Sequence, residues 1–357
     1  MTVKTTRPIN SFLTRNRNLL VLILLLSVLP FVVGLFEGVS IGQVWANESG
    51  TSKFVQGLGI EIFILALYAL SYDLIFGITG LLSFGHSMFF ATGAYLTGIL
   101  LKSFEMPLGL AVLWVLVASI VNAVLFGLVL PRVKGITFAL VTLGMASVFH
   151  IVIMSRELGD YTGADVGLQG VASPDFINPA TERLRFYFIA MALMVLFYLL
   201  YKRFVSSPTG RVCVAIRENE NRARMLGYNT FYFKLAALTL SSMTAALAGT
   251  LHVLYQPIVS PNTAGLAFTV TALLIILIGG VGTLNGALIG AAVYRLLDFG
   301  LRRYMGESSS FISGAIYVLI VLFLPFGIVG TWRLKSPQIR QGWQRLLKQF
   351  KVEQPDQ

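Results

Sequence analysis

The 357-residue sequence has one cysteine, Cys213, so no intramolecular disulfide can form and no cysteine-based zinc site can be assembled. Charge is scarce as well. Only 12% of residues are charged against 56% in the hydrophobic class, and the mean hydropathy of +0.77 lies far from the balance of a soluble domain. No Gly-x-x-x-x-Gly-Lys-Ser/Thr phosphate loop occurs, so the chain is not expected to hydrolyse ATP itself. With three histidines, and no Ser/His/Asp set, metal cluster or paired carboxylates at credible spacing, it is not read as an enzyme. A net charge of +11 raises the question of nucleic acid, but the Lys and Arg residues lie between long apolar runs instead of along a solvated stripe. These absences leave an all-α polytopic membrane protein.

A spanning helix needs ~20 mostly apolar residues, because only a closed ladder of backbone hydrogen bonds is tolerated in hydrocarbon. Ten such segments are expected, at residues 19–36, 57–76, 86–101, 108–130, 136–154, 186–201, 234–254, 266–279, 286–301 and 311–329. The third, eighth and ninth are short or rich in glycine. Placing the amino terminus inside and alternating sides puts most of the 27 basic residues in inside segments, as the positive-inside rule requires. The organisation is then a cytoplasmic N-terminal segment (1–18), a transmembrane domain (19–330) and a basic cytoplasmic tail (331–357). The first apolar run reads as a retained helix and not a secretory signal, despite the cleavage-like Val44-Trp45-Ala46 that follows it. The sequon Asn47-Glu48-Ser49 is too short a pattern to carry weight.

Two glycine-rich stretches interrupt apolar helices: Gly77, Thr79, Gly80, Ser83, Gly85 and His86 in one, Gly279, Gly280, Gly282, Thr283, Asn285 and Gly286 in the other. Irregular backbone survives in a bilayer only where protein or water satisfies its polar groups, so both breaks belong on the interior. Unwound backbone and helix ends can hold a zwitterion without a full side-chain charge. That makes Thr79, Gly80, Ser83, Gly85, His86, Gly280, Gly282 and Asn285 candidate substrate-pathway residues. Close packing is the competing reading, and it is preferred for two rows of small residues, Gly282, Gly286, Gly290 and Ser241, Ala245, Gly249. His86 reads as a hydrogen-bonded structural histidine. Among ionisable residues near the membrane, Asp73 is expected to touch neighbouring backbone, Arg295 to pair with Asp298, and Glu61 to sit near the outer surface. The scarcity of mid-depth carboxylates counts against an ion-coupled secondary transporter.

Between the sixth and seventh segments lies the longest polar inside stretch, Lys202 to Lys234. Pro208 and Gly210 mark a turn, Val212 to Leu226 carries Val212, Ala215, Ile216, Ala223 and Leu226 at roughly helical spacing, and Gly227 is a helix stop. Pattern alone leaves two placements open: a helix seated in a groove of another protein, or one lying flat in the headgroup layer.

From Gly210 to Lys234 and on through LAALTLSSMTAALAGTLHVLYQPIVSP, the chain resembles the LivM-type permeases of branched-chain amino acid ABC transporters. FGITGLLSFGHSMFFATGAY (76–95), YTGADVGLQG (161–170), IGGVGTLNGALIG (278–290) and LPFGIVG (324–330) resemble family motifs in the same order. The resemblance implies that Ala215, Ile216, Arg217, Glu218, Asn219, Glu220, Leu226 and Gly227 form a coupling helix that docks on a separate ATPase. Arg222 and Arg224 stand where the family often has Ala and Glu. It also implies a permease subunit of an importer in the bacterial plasma (inner) membrane, both termini cytoplasmic, for hydrophobic or branched-chain amino acids, with urea or short amides as the alternative cargo. The expected partners are a second permease subunit, two ABC ATPase subunits that carry the ATP and Mg, an extracytoplasmic solute-binding protein seated over Ser155 to Arg185, and membrane lipid. No cofactor is expected in this chain, and no nucleic acid.

Overall fold

The computed structural model describes residues 17–38, 40, 42, 44, 50–332 and 334. The N-terminal segment up to residue 16, the Asn47-Glu48-Ser49 sequon, Trp45 and Ala46 of the cleavage-like pattern, and the basic tail beyond residue 334 lie outside them. Each expected apolar segment holds a helix: α1 (Arg17–Phe36), α2 (Thr51–Asp73), α3 (Ser87–Lys102), α4 (Leu108–Gly127), α5 (Ile136–Met154), α6 (Arg183–Ser206), α8 (Thr230–Tyr255), α9 (Leu266–Gly279), α10 (Leu284–Met305) and α11 (Ser309–Phe323). The polar stretch between α6 and α8 is helix α7 (Pro208–Met225). Seven helical stretches, at residues 51–78, 108–127, 136–154, 183–206, 230–255, 284–305 and 309–332, are long and apolar enough to cross a membrane. The apolar parts of α1 (Leu20–Phe36) and α9 are shorter. The chain is a multi-pass, all-α membrane protein.

It divides into two compact units, Met1–Ile60 with Pro174–Met191, and Glu61–Ser173 with Ala192–Gln357. In the first, Pro30 lies inside α1 and has no N–H to give, which leaves the carbonyl of Leu26 without its helical donor. The Tyr187 hydroxyl donates to that carbonyl at 2.8 Å. Ser52 Oγ donates to the carbonyl of Pro30 itself at 2.8 Å. Both bonds meet the demand for internally satisfied backbone.

The second unit is built around α8, which packs on α3 and α4. Glycine permits the close approach: a Cβ on Gly93 would strike the backbone of Ala246, and one on Gly249 the backbone of Phe90. Hydroxyls then bridge the buried faces. Thr97 bonds Thr250 at 2.8 Å, and Ser241 and Ser242 donate to the carbonyls of Ser71 and Ser119 at 2.6 and 2.8 Å. The row Gly282, Gly286, Gly290 is likewise a contact row, since a Cβ on Gly290 would meet the carbonyl of Ile275. At the end of the bundle away from α7, β1 (Leu168–Gln169) and β2 (Ile258–Val259) pair antiparallel over a cluster including Tyr95, Ile153 and Val253.

Candidate functional site

The last turn of α2 widens into a π-turn at Leu74–Ile78, after which the chain runs irregularly to Ser87. The second break separates α9 from α10, with Gly280 and Gly282 at φ of +123° and +73°, conformations that favour glycine. The two breaks meet. Buried Asp73, at the end of α2, accepts the N–H of Gly282 on Oδ1 at 2.7 Å, and a Cβ on Gly77 would lie only 2.5 Å from the Gly282 nitrogen. Asp73 thus makes a contact with neighbouring backbone.

A third element reaches the same point. Arg217 of α7 donates from Nη1 to the carbonyl of Gly77, and its stem covers Gly80. The segment expected to be one amphipathic helix from Val212 to Leu226 is instead two helical pieces, because Asn219 is extended (φ −159°, ψ 98°). Ser207 caps the first piece at its N-terminus, accepting from Gly210 N at 3.2 Å, with Pro208 at the first helical position. Asn219 caps the second, its Oδ1 accepting from Arg222 N at 2.9 Å. Gly227, at φ +88°, ends it: Gly227 N donates to Arg224 O and Tyr228 N to Ala223 O, a Schellman closure.

The arm is clamped at its root by Glu220. Its carboxylate takes Lys234 Nζ at 2.8 Å, Arg224 Nη2 at 2.6 Å and Thr230 Oγ1 at 3.0 Å. Partial burial alone would raise this carboxyl. The hydrogen bond and charge of Lys234, with Thr230 and Arg224, outweigh it and hold the group down at about 2. Cys213 lies buried with its thiol 3.7 Å from the carbonyl of Phe233, and burial pushes the thiol up to about 11. The tip presents apolar surface: Met225 is 87% exposed and Leu226 71%, with Tyr228 and Tyr232 also outside.

The residues expected to couple to an ATPase therefore divide by position. Ile216 is buried, Glu220 is half-buried and bonded to Lys234, Arg217 is exposed but reaches the Gly77 carbonyl, Asn219 and Gly227 shape the backbone, and Ala215, Glu218 and Leu226 are exposed. Of the residues expected along a pathway, Thr79 and Gly80 line a cavity of about 80 Å³ beside Ile216, Arg217 and Glu220. Ser83 and His86 are fully buried. Ser83 accepts at its carbonyl from Tyr72, and His86 Nε2 bonds Ser71 Oγ at 2.8 Å. Gly85 packs against the Thr142 carbonyl, Gly280 beside Phe326 and Gly327, and Asn285 accepts from the Tyr198 hydroxyl. The two breaks come together through Gly77, Gly282 and Asp73, while Ser83, Gly85, His86 and Asn285 are held by other helices.

A second polar site joins Glu61 to the expected Arg295–Asp298 pair, a link that was not anticipated. Glu61, expected near the outer surface, is twelve residues before Asp73 on α2, hence about 18 Å along the helix from the breaks. Arg295, eleven residues into α10, is about 17 Å from the same level. They pair, and the chain of charges continues through Arg295 Nη1 to Asp298 Oδ2 at 3.0 Å and Arg302 Nε to Asp298 Oδ1 at 2.8 Å. The Arg295–Asp298 pairing follows from their spacing. Helix α2 begins at Thr51, six residues ahead of the apolar run expected from residue 57.

The family described as "Branched-chain amino acid transport system / permease component" matches residues 55–324. The chain is 28% identical over 305 residues to the high-affinity branched-chain amino acid transport system permease protein LivM of Salmonella typhimurium, covering 78% of this chain and 71% of that relative. It is 26% identical over 325 residues to the LivH permease protein of Escherichia coli K12 (85% and 96% covered). With the probable LivM of Methanocaldococcus jannaschii it shares 24% over 345 residues (89% and 96%). No solved structure matches. A helical membrane body with a structured polar arm, matched by the family over most of its length, places this chain in the LivM-type family of branched-chain amino acid transport permeases.

Proposed function

We propose that this chain is a membrane-spanning subunit of an ATP-binding-cassette importer in a bacterial inner membrane, with its termini and arm cytoplasmic, carrying hydrophobic or branched-chain amino acids. The observation that carries this reading is the arm. It has an exposed apolar tip at Met225 and Leu226, a rigid root at Glu220 and Lys234, and a side chain, Arg217, bonded to the backbone where two broken helices meet. A force applied to the tip by an ATPase is transmitted through the root to Gly77 and Gly282, so the breaks act as the hinge of an access change. A second permease chain completes the path, two ATPase subunits with ATP and Mg supply the energy, and an external binding protein delivers the solute.

An ion-coupled carrier fits less well. The carboxylates Glu61 and Asp298 are each neutralised by arginine, so the network carries no net charge for a coupling cation. The test is purification with candidate ATPase subunits and a solute-binding protein, followed by uptake into proteoliposomes of leucine, urea and acetamide. Met225→Glu together with Leu226→Glu is expected to abolish ATPase capture and ATP-driven uptake, and Glu218→Ala to weaken both. Uptake that continues without any ATPase would overturn the importer reading. Uptake of urea or acetamide but not leucine would keep the importer and change its cargo.

A further inference from the structure

Between α2, α3, α8, α9 and α10 lies a cavity of about 510 Å³, within the range of small-molecule sites. Glu61, Arg295, Asp298 and Arg302 line one side, and Phe90, Phe268, Ile64 and Leu65 another. We propose that this cavity is where the permease holds its solute in transit, and that the solute is a zwitterion with an apolar side chain: its ammonium on Glu61, its carboxylate on Arg295, its side chain against Phe90 and Phe268. The proposal rests on the importer reading and names its binding site.

These charges need a function, because ions within a membrane-spanning body are costly, and the four of them, with Glu61, Arg295 and Asp298 only 20–22% exposed, are not required to pack two helices. Their sum is zero, which suits a neutral dipolar guest and disfavours a simple cation or anion. Among the described residues, Arg295 uses three of its five N–H donors, Nε and Nη2 toward Glu61 and Nη1 toward Asp298. Two N–H groups remain for a carboxylate. Glu61 accepts from Arg295 on Oε2, while among the described residues Oε1 has only a 3.2 Å bond from Gln256, leaving lone pairs for an ammonium. An existing ion pair and a zwitterion are complementary, since each can exchange partners with the other. When the solute leaves, Glu61 and Arg295 close on one another, so the empty site keeps no unpaired charge. This competition keeps binding weak enough for release. Phe90 and Phe268 pack in a tilted arrangement, ring centroids 4.7 Å apart and planes at 49°, and form a firm apolar wall for an aliphatic group.

The test uses the complete importer with its binding protein. Replacing the single, buried Cys213 by Ala gives a background in which Thr271→Cys or, independently, Leu65→Cys places one thiol on the cavity wall. Saturating leucine is expected to slow maleimide labelling at both positions by about tenfold, whereas 4-methylpentanoate and isopentylamine, which lack one charge each, have no effect. Glu61→Gln and Arg295→Gln are expected to raise the KM for leucine uptake at least tenfold. Import of leucine by the wild type with labelling unchanged by leucine, and KM within twofold in both charge variants, would overturn the site and leave the importer intact. Failure of the wild type to import any solute with ATP would remove the importer reading itself. Phosphatidylethanolamine offers the same paired charges, so labelling that answers to adding that lipid to phosphatidylcholine vesicles, and not to leucine, would overturn the solute assignment.

Discussion

Replacing Arg217 by Met separates docking from transmission. The guanidinium donates to the carbonyl of Gly77, a buried residue in the π-turn, while the tip at Met225 and Leu226 is unaltered. A hydrogen bond from a charged donor contributes about 1.5–3 kcal/mol when its acceptor has no substitute. Arg217 is exposed and water can reach the site, so the lower end applies. At ~1.4 kcal/mol per tenfold, this shifts the balance between attached and detached arm by roughly 10-fold. The assay is the ratio of ATP hydrolysed to leucine imported in proteoliposomes, measured beside co-purification of the ATPase subunits. Arg217→Met should leave capture intact and raise the ratio about tenfold. Arg217→Lys, which keeps the charge on a shorter stem, should fall between. A ratio within twofold of wild type, with the complex intact, would show that force does not reach the breaks through this side chain.

Four other outcomes are expected. Tyr187→Phe orphans the Leu26 carbonyl and should destabilise the first unit by about 1–2 kcal/mol, read as a lower Tm; Pro30→Ala in the same chain restores a helical donor and should recover most of the loss. Gly93→Ala drives a methyl into the Ala246 backbone and should cost at least ~1–3 kcal/mol or prevent folding, whereas Gly109→Ala, with open space around it, should be neutral by thermal melting. The Glu220 carboxyl is held at about 2, below its ordinary 4.5, so its contribution to anchoring the arm is fully present above pH 4.5 and fades as pH falls toward 2. A spin label at Met225→Cys in a Cys213→Ala chain should gain mobility across that window, and Glu220→Gln should be mobile at every pH. Gly227→Ala forces a Cβ into the left-handed region and should destabilise the arm by about 1 kcal/mol, with Gly227→Asn milder, read as looser ATPase binding.

Local rules account for what was legible in the residues. Each expected apolar run holds a helix, and seven helical stretches among the described residues are long and apolar enough to cross a membrane, because a spanning segment must satisfy its own backbone. Gly227 marked the arm's end because only a residue free of Cβ closes a helix easily in that conformation. The arm's internal break was not legible. Asn219 sits in a helical pattern, and its extended backbone is stabilised by capping Arg222 once Glu220 has been drawn to Lys234, fourteen residues on. Thr79 and Ser83 suggested a polar path, yet Thr79 donates to Leu74 O and Ser83 Oγ accepts from Gly85 N, so these hydroxyls serve the break's own backbone.

The sequence by itself determined a membrane protein of apolar helices, two glycine-rich interruptions and one polar arm, since hydropathy, charge placement and glycine act over a few residues at a time. Only the tertiary structure decided what those parts do to each other. Asp73 and Gly282 are 209 positions apart, Arg217 and Gly77 140, and Glu61 and Arg295 234. No periodicity links such residues; helix packing brings them together, because a polar group inside a bilayer must find its partner within the protein.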